Sequence, residues 1–175
     1  MKHQLSPNKQ TGWLIIILPI ALVVILIIWA ATRPRPGESV TNQGNRHLTS
    51  LTEAHGPYNS KPPTSGPHTT GKASWGITDS KIPDEIQVHN LEDGGVIVHY
   101  DPAQVVTSTV DQLKDIVQSL YVKGRHVILE PYAGLETPIV LTAWTRIEKL
   151  PTIDEEKIKQ FITAYEGTDH HVPGA

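Results

Sequence analysis

Residues 86–100, IQVHNLEDGGVIVHY, contain two runs rich in β-branched residues on either side of the turn-forming segment 91–95. Apolar and polar side chains that alternate around an Asp-Gly-Gly sequence are typical of a β-hairpin. If the two runs pair across the turn, His89 lies diagonal to His99 on one face, about 7–8 Å away at the backbone. The stretch therefore predicts a strand, a turn and a strand that carry two histidines within reach of a shared ligand.

The residues after this hairpin predict a helix, two strands and a second helix. Apolar residues at helical spacing or in short runs mark these elements, which cover, in chain order, 107–121, 127–129, 139–141 and 153–166. Thr152 and Glu155 have the spacing of a capping box at the start of the second helix. The order predicts an α+β domain of two layers, with about four strands and two helices on one face of the sheet.

An uncharged, apolar stretch of 19 residues, 13–31, precedes the domain and predicts a single transmembrane helix. As a helix it is about 28 Å long, which is close to the hydrocarbon thickness of a bilayer. Trp13 and Trp29 bracket it as interfacial aromatic residues do. Because the stretch begins so near the N-terminus and is longer than the core of a signal peptide, we expect an uncleaved signal anchor. The chain is then a single-pass protein of the cell membrane, with its C-terminal domain outside the cytoplasm.

The segment after the apolar stretch, 32–54, is rich in Pro, Gly, Thr, Asn and Ser and has no hydrophobic period. Such a composition is typical of a flexible linker. The predicted organisation is therefore a short N-terminal tail at 1–12, a transmembrane helix at 13–31, a linker at 32–54, the α+β domain at 55–168 and a C-terminal tail at 169–175.

The composition excludes several classes of function. Fifteen lysines and arginines stand against 18 aspartates and glutamates, for a net charge of −3, which argues against a nucleic-acid partner. The chain has no cysteine, so disulfides, iron–sulfur clusters, thiolate zinc sites and thiol nucleophiles are excluded. The sequence contains no G-x-S-x-G elbow, P-loop or Rossmann glycine pattern. We therefore predict no catalytic residue and do not favour an enzyme.

Nine histidines are the main chemical signal. The candidate metal ligands are His68, in the loop sequence PPTSGPH, and His89, Glu92, Asp93 and His99, in or beside the predicted hairpin. Imidazole and carboxylate ligands without sulfur suit zinc, copper(II), nickel or iron. In the alternative interpretation these histidines are polar surface residues or are hydrogen-bonded in the core. We expect His170 and His171 to be adventitious, and we assign no role to His3, His47 or His126.

Several longer motifs resemble one known family. The segments PYNSKPPTSGPH (57–68), VHNLEDGGVIVHY (88–100), EPYAGLETPIVLTAWTR (130–146) and FITAYEG (161–167) are similar to the domain-of-unknown-function 3105 family. The resemblance covers about residues 55–168. It implies a protein with one N-terminal membrane anchor and an activity that is not established.

The same resemblance bears on the ligand set. The hairpin motif of the family reads like V-H-N-L-E-H-G-G, so Asp93 stands where the family carries a histidine. The resemblance therefore implies a site with two histidines and one carboxylate, namely His68, His89 and Asp93, with Glu92 or His99 as a further ligand. Alternatively, the aspartate at position 93 indicates that this chain has lost a metal site that other members of the family keep.

Two functions are consistent with these patterns. In the first, an outward-facing domain, anchored in the lipid bilayer by 13–31, holds a divalent ion such as copper, zinc or iron for metal handling or redox support. In the second, the domain is a non-enzymatic accessory or assembly subunit of a membrane protein complex, and the PPTSGPH loop is its docking surface.

Overall fold

A computed structural model describes residues 9–32 and 34–171 of the chain. The chain divides into two compact units between Arg35 and Pro36. The predicted tails at 1–12 and 169–175 lie partly outside the described residues.

The first unit contains one helix, α1, which runs from Lys9 to Ala31. It includes the stretch 13–31 that the sequence predicts to cross the membrane. In the part of the chain that the structure describes, no helix is both long and apolar enough to cross a bilayer. The helix itself is therefore confirmed, and its assignment as a transmembrane span is not supported.

The described residues of the second unit form eight strands. They are β1 (Glu38–Ser39), β2 (His47–Leu48), β3 (His68–Thr69), β4 (Gly76–Ile77), β5 (Val96–Tyr100), β6 (Val127–Pro131), β7 (Ile139–Ala143) and β8 (Arg146–Leu150). The main sheet has the order β1-β8-β7-β5-β6-β4, and β2 pairs with β3 in a separate parallel sheet. Because β5 is parallel to β6 and antiparallel to β7, the main sheet is mixed. The predicted strands at 127–129 and 139–141 are confirmed within β6 and β7.

Helices cover both faces of the main sheet. They are α2 (Asp84–Glu92), α3 (Thr107–Tyr121) and α4 (Glu155–Tyr165). Successive side chains of a strand point to opposite faces, so β5 presents Val98 to one side and Ile97 to the other. Val98 packs with the apolar side chains of α3 and α4, whereas Ile97 packs with those of α2. The domain is therefore α+β as predicted, but it has a third helix and a third layer.

The two helices that the apolar spacing predicts are both present. α3 has the predicted bounds, and α4 lies within the predicted 153–166. The N-terminal cap of α4 differs from the predicted box of Thr152 and Glu155. The residue that caps it is Asp154, whose Oδ1 accepts a hydrogen bond from the backbone N–H of Lys157 at 3.0 Å.

The prediction of a hairpin over 86–100 is wrong in its first half, which is the helix α2. β-Branched residues favour a strand locally, but helical geometry lets Val88 and Leu91 both bury completely against the sheet, and tertiary burial overrides local propensity. The Asp-Gly-Gly segment is the end of this helix. Gly94 adopts φ of +78° and donates its N–H to the carbonyl of Leu91 at 3.1 Å, as in a helix C-terminal cap.

The segment 32–54 is folded from Pro36 onward, contrary to the linker prediction. β1 pairs with β8, β2 pairs with β3, and Leu48 is buried. Glu53 holds the intervening turn, because its carboxylate contacts Arg46 Nη1 at 2.6 Å and accepts a hydrogen bond from the backbone N–H of Thr49 at 2.7 Å. Strands of two residues are too short to leave a hydrophobic period in the sequence.

Candidate metal centre

Two elements present the central side chains of the site. α2 carries His89 and Glu92, and Asp93 follows as its C-cap residue. Residues three and four apart share one face of a helix, so these three side chains point the same way. β3 carries His68, and its parallel pairing with β2 places His47 directly beside it, with the two ring centroids 4.8 Å apart.

The PPTSGPH loop fixes the backbone that leads to His68. Its Thr64 carbonyl accepts a hydrogen bond from the N–H of Thr145 at 2.9 Å, and Ser65 Oγ accepts one from the N–H of Gln43 at 3.0 Å. Thr64 and Ser65 are both fully buried. The loop therefore supports a ligand, and these two residues offer no free surface for docking.

Four imidazoles converge on a single oxygen of Glu92. The distances from Glu92 Oε2 are 2.9 Å to His68 Nε2, 3.2 Å to His171 Nε2, 3.6 Å to His47 Nε2 and 3.9 Å to His89 Nδ1. The side chain of Glu92 is 0% exposed. Within residues 9–32 and 34–171, none of its ion-pair contacts involves a lysine or an arginine.

The hydrogen bonds of His68 determine which of its ring nitrogens carries the proton. Nδ1 lies 2.8 Å from the carbonyl oxygen of Gly66, and a carbonyl only accepts, so Nδ1 is the N–H donor. In a neutral ring, Nε2 then directs a lone pair at the carboxylate of Glu92, 2.9 Å away. Two acceptors at that distance repel each other, so the pair requires a cation between them, either a proton or a metal ion.

His171 has the same arrangement as His68. Its Nδ1 lies 2.6 Å from Asp169 Oδ1, which leaves Nε2 directed toward Glu92. A carbonyl or carboxylate behind the ring is the usual second contact of a metal-binding histidine. The hydrogen bond to Asp169 raises the pKa of His171, whereas burial lowers the pKa of His89 and so favours its neutral, ligating form.

Two atoms of the cluster are buried polar atoms without a hydrogen-bond partner among the described residues. They are His89 Nδ1 and Glu92 Oε1. Such atoms are rare in folded proteins, and both are of a type that binds metal ions. The ligand atoms of His47, His68, His89 and Glu92 all lie within 4.8 Å of one another, compared with about 3.3 Å between ligands around tetrahedral zinc.

The structure brings together most of the residues that the sequence singles out. His68, His89 and Glu92 form the centre of the cluster, and Asp93 lies at its edge, with Oδ1 3.9 Å from His89 Nε2. Lys72 Nζ contacts the other oxygen of Asp93, Oδ2, at 2.8 Å.

His99 does not join the cluster, contrary to the prediction. Its Nδ1 lies 2.8 Å from Glu130 Oε1, and its Nε2 lies 2.9 Å from Thr142 Oγ1. A carboxylate, an imidazole and a hydroxyl in this order resemble the triad of a hydrolase. All three residues are 0% exposed, so no substrate reaches them, and the group is a buried structural network.

Sequence reasoning missed His47 and His171. His47 lies in the segment predicted as a linker, and His171 was expected to be adventitious. The C-terminal segment returns to α2, where the N–H of His170 donates to the carbonyl of Glu92 at 2.9 Å and its ring stacks on Trp144. The large number of histidines was the one available signal, because both placements depend on contacts between distant parts of the chain.

Comparison with known proteins identifies a family but no activity. Residues 51–175 match the family model described as "Protein of unknown function (DUF3105)". No curated protein matches the chain, and no solved structure matches it.

Proposed function

This chain belongs to the DUF3105 family, and from that premise we propose that its folded domain binds a divalent metal ion. Its ligands are His47, His68, His89 and Glu92. The observation that carries the proposal is the contact of His68 Nε2 with Glu92 Oε2 at 2.9 Å, made by a ring whose proton is held on the opposite nitrogen by Gly66.

A metal ion accounts for more of the cluster than a proton does. A proton on His68 relieves one repulsive contact, but it leaves three more imidazoles within 3.9 Å of the same oxygen. It also leaves His89 Nδ1 and Glu92 Oε1 without partners. One divalent cation neutralises the buried carboxylate and provides a bond for His89 Nδ1, which supports metal binding.

The donor set selects the class of metal. Three imidazoles and one carboxylate favour zinc, copper(II), nickel(II) or iron(II) over magnesium and calcium, which prefer all-oxygen sites. Four protein ligands around one ion leave no open position for a substrate. We therefore propose a role in metal handling or redox support.

We also propose that the domain is attached to the cell membrane through residues 13–31 and lies outside the cytoplasm. Support comes from the uncharged sequence of this stretch and from ten large apolar side chains between Ile16 and Ile27, which are 45–66% exposed. A continuous apolar surface of this kind marks contact with lipid or with another protein. We expect the protein to stay in the membrane fraction after carbonate extraction, and its folded domain to be accessible to protease added outside the cell. Release of the protein by carbonate would contradict the attachment.

An accessory subunit of a membrane complex is the second candidate function, because a partner helix would also bury the exposed side chains of α1. Purification in mild detergent distinguishes the two functions. A stoichiometric partner protein and no bound metal would favour the accessory subunit.

Metal titration of the full chain, purified in detergent without a histidine tag, tests the main proposal. We expect the parent to bind zinc stoichiometrically and His47→Ala and His68→Ala to weaken binding by at least about tenfold. His126→Ala is the matched control, since His126 is exposed and stacks on Trp75 away from the cluster. The proposal fails if the parent binds no metal or if His47→Ala and His68→Ala bind as well as the parent.

A further inference from the structure

The ring of His89 lies between two carboxylates that contact its two different nitrogens. Nδ1 is 3.9 Å from Glu92 Oε2, and Nε2 is 3.9 Å from Asp93 Oδ1. The spacing of these residues along α2 produces the arrangement, because positions three and four after His89 lie on the same face of the helix. Only the Nδ1 side is used by the four-ligand site proposed above.

Asp93 and His171 form a second group of potential ligands with His89. The Nε2 atom of His171 lies 3.8 Å from Asp93 Oδ1, and the ligand atoms of His89, Asp93 and His171 all lie within 4.8 Å of one another. Lys72 contacts Asp93 through Oδ2, so Oδ1 is the oxygen that remains directed at the histidines. On the opposite side of the His171 ring, Nδ1 lies 2.6 Å from Asp169 Oδ1.

The segment that carries His171 is attached to the end of α2 by the backbone. The N–H of Gly167 donates to the carbonyl of Gly94 at 2.8 Å, and the N–H of His170 donates to the carbonyl of Glu92 at 2.9 Å. The ring of His170 stacks on Trp144 with an interplanar angle of 17°. The position of His171 is therefore part of the fold of the domain.

Resting on the proposed function, we propose that the cluster holds a second divalent metal ion, bound by His89, Asp93 and His171, and that the imidazole of His89 bridges the two ions. The two ions lie about 6 Å apart, as two metal–nitrogen bonds of about 2 Å on opposite sides of one ring require. When both nitrogens bind metal, the ring releases its N–H proton to solvent. The imidazolate and the two carboxylates then place three negative charges against the four positive charges of the ions.

The second position differs from the first in its access to solvent. The side chain of His171 is 41% exposed and that of Asp93 is 17% exposed, whereas His68 and Glu92 are 0% exposed. Three protein ligands leave a coordination position open for water or a small anion. We call this second position, formed by His89, Asp93 and His171, the outer position. It is the one through which an ion enters, leaves or binds a small ligand.

Copper(II) titration of the full, untagged chain in detergent tests the bridge. We expect two equivalents per chain. The first gives the electron paramagnetic resonance spectrum of an isolated copper(II), and the second reduces that signal because the two ions couple through the ring. His171→Ala and Asp93→Asn should bind one equivalent and keep the isolated spectrum. His126→Ala, which removes an exposed histidine that stacks on Trp75 outside the cluster, should still bind two.

The outcomes separate the two proposals. A parent that binds one equivalent overturns the second position and leaves the proposed function standing, whereas a parent that binds none overturns both. Two equivalents in the folded His171→Ala and Asp93→Asn variants, or two ions in the parent whose signals do not couple, also overturn the bridge. If circular dichroism shows that a variant is unfolded, the spectrum of the parent at two equivalents decides the question.

Discussion

Burying a carboxylate in a protein interior costs several kcal/mol unless a positive charge accompanies it. Glu92 is fully buried, and four imidazoles approach one of its oxygens. Neutral imidazoles bring no positive charge. Without a bound cation, the buried carboxylate of Glu92 is therefore electrostatically unfavourable, and a metal ion at this residue offsets that cost.

Glu92→Gln separates the charge of this side chain from its shape. Because the amide is neutral, we expect the variant without metal to be at least as stable as the parent, and its metal affinity to fall by about 10–100-fold or more. Urea denaturation of the metal-free proteins and competition with a chelator measure the two effects. An unchanged metal affinity would show that the carboxylate is not a ligand.

Asp101 provides a pH-dependent contribution to stability that is remote from the metal ligands. Its hydrogen bond with Gln104, followed by those from the backbone N–H of Ala103, Leu135 and Gly134, lowers the pKa of Asp101. A carboxyl group whose pKa is lowered in the folded state stabilises that state above the unfolded pKa of about 3.9, and this stability is lost as the pH falls through the folded pKa.

Asp101→Asn should therefore destabilise the domain by about 1–3 kcal/mol at pH 7. The difference in unfolding free energy between parent and variant should shrink as the pH is lowered below about 4. Urea unfolding at pH 7, 5 and 3 measures it. A difference that stays constant over this range would mean that the charge of Asp101 does not contribute.

At the scale of elements, the end of α2 connects two parts of the site. Gly94 closes the helix in a left-handed conformation, with φ of +78°, and lies directly against the C-terminal segment. A Cβ atom at Gly94 would lie 2.7 Å from the carbonyl oxygen of Thr168. The same glycine therefore ends the helix that carries His89 and leaves room for the segment that carries His171.

Gly94→Ala should destabilise the domain and displace the C-terminal segment. The left-handed conformation costs about 1–2 kcal/mol for a residue with a Cβ, and the contact with Thr168 adds to this. Gly124→Ala is the matched control, because Gly124 also has a positive φ, of +76°, but its Cβ would meet nothing within 4 Å. We expect only Gly94→Ala to lose the outer metal position, as measured by metal content. Equal effects of the two variants would contradict a tight contact there.

The elements differ in how well local sequence predicts them. α3 and α4 are amphipathic with one buried stripe, so their apolar spacing predicts them, α3 with its observed bounds. In α2, six residues from Gln87 to Glu92 are buried in succession, so the helical contrast between apolar and polar faces disappears. The clearest local signal left in this segment is its β-branched residues, which favour a strand. The sequence therefore predicts a hairpin where the structure has a helix.

At the scale of the whole molecule, the site joins segments that are distant in the chain. β2, β3, α2 and the C-terminal segment each contribute a side chain to it. A ligand that binds only the folded state stabilises that state, by about 2.7 kcal/mol when its concentration is 100 times Kd. Metal binding is therefore expected to stabilise the domain as a unit.

Addition of zinc should raise the melting temperature of the parent, and a chelator should reverse the increase. His68→Ala should show a smaller increase than the parent, whereas His126→Ala should behave like the parent. Differential scanning calorimetry of the full chain in detergent measures these shifts. A melting temperature that zinc leaves unchanged in the parent would contradict binding to the folded state.

The sequence by itself determined the α+β class, the two amphipathic helices, the central strands, the family and the kind of ligands available, because composition and short-range periodicity carry this information. Only the tertiary structure decided that 84–92 is a helix, that His99 is bound within a separate network, and that His47 and His171 reach Glu92. These outcomes depend on burial against the sheet, on the parallel pairing of β2 with β3 and on the return of the C-terminal segment. They arise between residues far apart in the chain, where no local pattern records them.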